Sequence, residues 1–130
     1  MESKMQVIRA TVVLCCSLML AACAGQAKPV ELYSKNSLNC GVMAGVTLLD
    51  RELTINAGER PTPGYGVEVK EQTSDRKGVN IAYEISKPAA GSMLPQMMTS
   101  PCRRITLPED WKRLTVTDLE SGQKWVFEQP

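Results

Sequence analysis

The chain has 130 residues, 15 of them basic and 14 acidic, with a formal net charge of +1. Such a balance provides neither the basic stripe that nucleic acid requires nor a strong field to steer a charged ligand. Histidine is absent, which removes the commonest general base, the usual partner of a nucleophilic Ser or Cys, and the commonest metal ligand. The expectation is a non-enzyme with no cofactor, no metal and no small-molecule substrate.

The N-terminus has three parts. Lys4 and Arg9 form a basic head, residues 10–20 are apolar apart from Thr11 and Ser17, and Leu20-Ala21-Ala22-Cys23 follows. A secretion signal has this order, with an apolar region of about 7–15 residues before small residues at the cleavage site. A membrane span needs about 20 apolar residues. Leu20-Ala21-Ala22-Cys23 resembles the lipobox of bacterial lipoproteins. That resemblance implies removal of residues 1–22 as a signal peptide and acylation of the Cys23 thiol, with a further chain on the new amino group. Two or more acyl chains anchor a protein stably. Ala24 rather than Asp follows, and by resemblance to the enterobacterial sorting rule this directs the protein to the outer membrane, facing the periplasm or exposed at the surface. The alternative is an ordinary cleaved signal with a chance cysteine. Residues 23–29 then read as a lipidated tether and 30–130 as one β-rich domain.

Five cysteines are present. Cys15 and Cys16 leave with the signal and Cys23 takes lipid, so Cys40 and Cys102 remain. In an oxidising compartment they are expected to pair as a disulfide. The alternative is two free buried thiols.

Along the domain, residues 30–39 fit strand or loop. Residues 41–45 are punctuated by glycine, and 46–49 are apolar. Leu53 and Ile55 alternate with Thr54 and Asn56 before a turn over 57–60. Tyr65, Val67 and Val69 share one face opposite Glu68 and Lys70, a period of 2 that marks a half-buried strand. Residues 74–78 form a polar turn. Val79, Ile81, Tyr83 and Ile85 then alternate with polar or small residues, so the two runs predict an antiparallel hairpin. Residues 87–101 contain Pro88, Pro95 and Pro101, which exclude a long helix and leave room for one helical turn over 94–98. Alternation returns around Ile105 and Leu107, over 114–117 and over 125–127. Trp111 and Trp125 read as core or sheet-edge anchors, and Arg103-Arg104 as a pair straddling a strand. Short strands at this spacing predict an all-β fold, a small β-sandwich or barrel-like antiparallel sheet.

Two segments carry a further resemblance. Residues 58–69 read GERPTPGYGVEV and 87–102 read KPAAGSMLPQMMTSPC. In this order they resemble the PrcB C-terminal domain family, named for a lipoprotein subunit of a bacterial surface protease complex. Pro61, Thr62, Gly64 and Tyr65 match the family's turn. Pro88, Gly91, Thr99 and Pro101 match its proline-and-glycine loop. The resemblance covers roughly residues 53–118 and departs at Pro63, where glycine is common in the family. It implies a non-catalytic accessory domain that binds a protein partner, a protease or an envelope complex.

Two readings of Pro61, Thr62, Pro63, Gly64 and Tyr65 compete. One is a rigid turn in which proline presets φ, Gly64 supplies φ > 0 and Tyr65 starts a strand facing the core. The other is a binding loop. Its pattern is similar to the Thr-Thr-Gly-Tyr-like loop of chagasin-type inhibitors, which implies a periplasmic protease inhibitor as the alternative function. Met93, Met97 and Met98 also read two ways, since methionine fills irregular gaps in a core and makes adaptable contact surfaces. The expected protein-binding residues are therefore those five of the turn and these three methionines.

Overall fold

The computed structural model describes residues 26–130. The expected signal peptide, the expected acylation site at Cys23 and the start of the expected tether lie outside the described residues. Nine strands follow in chain order: β1 (Lys28–Pro29), β2 (Ser34–Ser37), β3 (Gly45–Leu49), β4 (Glu52–Asn56), β5 (Gly66–Asp75), β6 (Gly78–Ser86), β7 (Cys102–Thr106), β8 (Arg113–Asp118) and β9 (Lys124–Glu128). They make two sheets, one in the order β1-β5-β6-β8-β9 and one in the order β2-β7-β4-β3. The fold is all-β, a sandwich whose core lies between the two sheets.

Period-2 patterning builds that core. Leu53 and Ile55 of β4, Ile105 of β7, Ile81 of β6, and Leu114 and Val116 of β8 are almost fully buried. Leu107 and Trp111, on the link from β7 to β8, join the same cluster. Each aliphatic side chain removed from water in this way contributes about 1.5–3 kcal/mol. Trp125 is half-buried on β9, with its ring centroid 6.3 Å from that of Tyr83.

β5 and β6 pair as the predicted hairpin, but the strand runs past Glu71, where alternation ends in the sequence. A bulge at Lys70 explains the extension. Val69 pairs with Tyr83 and Glu71 with Ala82, so Lys70 is the extra residue. One inserted residue swaps the faces of everything after it. Gln72 and Ser74 thereby come opposite Ile81 and Val79. The Lys70 ammonium is held outside by Glu68 at 2.8 Å and Glu84 at 3.2 Å. The turn shortens to Arg76-Lys77, and the Asp75 carboxylate accepts from the Lys77 and Gly78 amides at 2.7 and 3.0 Å.

Not every pair is antiparallel. β6 and β8 run parallel, with Val79 opposite Leu114 and Tyr83 opposite Asp118. Parallel neighbours need a long crossover. Here it consists of the proline-rich segment, β7 in the other sheet, and the return past Trp111. Gly78 admits β8 at the start of this pair. Its φ is 140°, and a Cβ there would overlap the Arg113 carbonyl oxygen and lie 3.0 Å from the Arg113 Cβ.

At the other end of the chain, Lys28 and Pro29 pair with Ser74 and Thr73 of β5. The segment read as the end of a tether is thus joined to the sheet. No helical turn forms over residues 94–98.

Candidate functional site

The turn over residues 61–65 and the proline-rich segment, 25 or more residues apart along much of their length, pack against each other. β4 ends in Asn56, whose side-chain oxygen accepts from the Gly58 amide at 2.9 Å. This Asx-type bond reverses the chain. Arg60 then forms a two-way backbone bridge with Thr99, at 2.7 and 2.9 Å. The Thr99 hydroxyl donates to the Thr62 carbonyl at 3.2 Å. Gly64 has φ 98°, and a Cβ on it would lie 3.0 Å from Pro88 and 3.3 Å from Leu94. The glycine therefore supplies both the positive φ and the close approach.

Tyr65 departs from the rigid-turn reading in one respect. It precedes β5 rather than starting it and is only half-buried. Its ring lies beneath the Arg60 guanidinium, 5.3 Å from the centroid. Arg60 is fixed in turn by the Ala57 carbonyl at 3.1 Å.

The far side of this node is covalent. Cys40 and Cys102 form a disulfide with Cα atoms 5.9 Å apart, closing a sequence separation of 62. Ser100 supports it. Its hydroxyl accepts from the Cys40 and Gly41 amides at 3.0 and 3.2 Å, and its own amide donates to the Leu38 carbonyl at 3.0 Å. The Asn56 amide group donates to the Cys40 carbonyl at 2.9 Å. Ser100 and Asn56 were not singled out in the sequence. The Asn-Ala-Gly run at 56–58 is the one local signal for the Asx turn, while the partners of Ser100 are visible only in three dimensions.

The methionines lie outside the core, which removes the gap-filling reading. Met93 is 100% exposed, Met97 56% and Met98 64%. No strand or helix turns them inward, because three prolines hold residues 88–101 irregular. The backbone bonds of Ser100 to Leu38, and of Glu59 to Val42, bring a second exposed apolar run alongside, with Leu38, Val42 and Met43. Pro61 and Gly64 are also exposed, while Thr62 and Pro63 are half-buried. Beside them, a cleft of about 250 Å³ is lined by Leu38, Tyr65, Ser86, Pro101 and Arg103. Arg103 and Arg104 divide between the two faces of β7. Arg104 is exposed, whereas Arg103 is half-buried opposite Ile55, with its Nε buried and unpartnered.

A larger cleft, about 760 Å³, lies between the β3–β4 turn and β9, with Leu48, Arg51, Trp111, Val126 and Phe127 on its walls. Tyr83 is buried elsewhere on this side of the sandwich. Desolvation, with a smaller push from Asp118, raises its phenol to about 12. Among the described residues, no three His, Cys, Asp or Glu side chains come together as a metal site.

The domain is thus a disulfide-tied β-sandwich with exposed apolar side chains at one end. The family follows from comparison with known proteins. Residues 53–108 match the family described as PrcB C-terminal, and this stretch, from β4 through β7, is a PrcB C-terminal-like domain. The match contains both loops and stops at Pro108, short of β8 and β9. No curated protein and no solved structure matches the chain.

Proposed function

We propose that the protein is a lipid-anchored, non-catalytic accessory domain that binds a protein partner at the outer membrane. One observation carries this reading: the two segments that identify the family are interlocked through Arg60, Thr99, Gly64 and Pro88, yet they leave Pro61, Met93, Met97 and Met98 in solvent. A pre-ordered surface loses little entropy on docking, and exposed methionines adapt to an apolar partner. The absence of histidine from the sequence accords with a role in binding rather than catalysis. The family's name makes a protease complex the partner to test first. The anchor rests on Leu20-Ala21-Ala22-Cys23 in the sequence.

The test uses tagged full-length chain cross-linked in intact envelopes. Met97→Ala combined with Met98→Ala is expected to lose the partner while keeping the fold, monitored by circular dichroism. Equal recovery from a folded variant would overturn the surface. Cys23→Ala is expected to leave the membrane fraction, and its continued sedimentation with membranes would overturn the anchor.

A further inference from the structure

β9 ends its sheet, and among the described residues nothing pairs with its outer edge. An open edge presents unpaired N–H and C=O groups, and proteins usually blunt such edges with proline, a bulge, very short length or charged side chains. On β9 the last of these is present as Lys124 and Glu128, which are opposite in sign and so discourage only partners that do not match them. Of the other edges, β1 has only two residues, one of them Pro29, β2 has four, and β3 has five but begins with Gly45 and carries no charged side chain that could pair with a second copy. β9 has five residues, Lys124-Trp125-Val126-Phe127-Glu128, with no proline and no bulge.

The bonds to β8 show which backbone groups are free. The Asp118 amide donates to the Gln123 carbonyl, and the Gln129 amide to the Lys112 carbonyl, both at 2.9 Å. In an antiparallel ladder, bonded and non-bonded pairs alternate. In the register of β8 and β9, the odd-numbered residues of β9 therefore bond inward to β8. Lys124, Val126 and Glu128 direct their N–H and C=O groups outward.

From this geometry we infer that β9 pairs antiparallel with β9 of a second copy of this chain, about a two-fold axis at Val126. In that register Val126 meets Val126, and Lys124 meets Glu128 of the second copy. All three pairs fall at outward-pointing positions, so each exchanges both backbone bonds. Side chains agree with this register. Lys124, Val126 and Glu128 lie on one face, so the charges meet as opposites on either side of an apolar centre. On the other face, Trp125 comes opposite Phe127 of the second copy. The strand is self-complementary in charge and in hydrogen-bonding phase, as an isologous interface requires. This surface lies outside the family-matched residues and does not depend on the Pro61 turn or the methionines.

The experiment is cysteine cross-linking of full-length protein in its own membranes. A bonded antiparallel pair places Cα atoms about 5.5 Å apart, within disulfide range. Val126→Cys is expected to give a covalent homodimer on mild oxidation. Leu119→Cys, exposed but not on an edge strand, is the control and is expected not to. Adding Lys124→Glu sets like charges against each other twice per dimer and is expected to cut the cross-linked yield about tenfold. Combining Lys124→Glu with Glu128→Lys restores opposite pairs and is expected to recover it. Arg113→Gln is added to both charge variants, because Arg113 lies 3.7 Å from Glu128 in the same chain. A yield at Val126→Cys no higher than at Leu119→Cys would overturn the inference. So would failure of the double charge reversal to rescue a folded protein, or cross-linking solely to a different protein.

Discussion

Breaking the Cys40–Cys102 bond should be the most damaging single change that leaves every other side chain in place. The bond closes a sequence separation of 62, and for a loop of that length the chain-entropy account gives about 4 kcal/mol. For a domain near 100 residues, each kcal/mol corresponds to about 4–8 °C in melting temperature. Reduction should therefore lower the midpoint by roughly 15–30 °C. The hydrogen bonds of Ser100 and Asn56 around the bridge remain available after reduction, so the native topology should survive at low temperature. The assay is thermal unfolding by circular dichroism with and without a phosphine reductant, repeated on a Cys40→Ala, Cys102→Ala double variant. Intact mass should rise by two hydrogens on reduction of the parent chain and not of the variant. A shift under about 5 °C in both reduced parent and variant would refute the chain-entropy reasoning. An unchanged mass would refute the bond.

Gly78→Ala should cost about 2–4 kcal/mol, because the new Cβ enters the space of the Arg113 carbonyl at an unfavourable φ; urea unfolding measures it. Thr99→Val keeps the shape but strips the Thr62 carbonyl of its hydroxyl donor. It should cost about 1–2 kcal/mol and speed amide exchange over residues 60–64, seen by hydrogen-exchange mass spectrometry. Tyr83 keeps its proton in the fold up to about 12, while in the unfolded chain it ionises near 10. Unfolding thus releases a proton at high pH, so stability should fall as pH rises through that interval. Tyr83→Phe should flatten the fall in urea midpoint relative to the parent.

The strands most legible in the sequence were those with one wet face. Leu53 and Ile55 marked β4, and Val79 through Ile85 marked β6, because period 2 records which side chains meet the core. The same period is silent about neighbours, so nothing local distinguished the parallel β6–β8 pair from another hairpin. It also failed at the bulge. Lys70 and Glu71 both point outward, so the continuation through Gln72 and Ser74 looked like the beginning of a polar turn. β1 was hidden because its pairing with Thr73 and Ser74 is made by backbone atoms. Of the candidate surface, the turn and the proline-rich loop were visible as punctuation. Their mutual docking depends on contacts such as Thr99 to Thr62, 37 residues apart, and the role of Ser100 beneath the disulfide on contacts 60 residues apart.

The crossover also constrains the order of assembly. β5 and β6 can close as a local hairpin, since a two-residue turn costs little loop entropy. β8 cannot add to β6 until the intervening chain has visited the opposite layer and returned, so its contacts repay a long closure only after β7 is seated. The nucleus should therefore form around the β5–β6 hairpin, with β8 and β9 consolidating in a late, slow step typical of non-local β topologies. Substitutions in β9 should then speed unfolding far more than they slow folding.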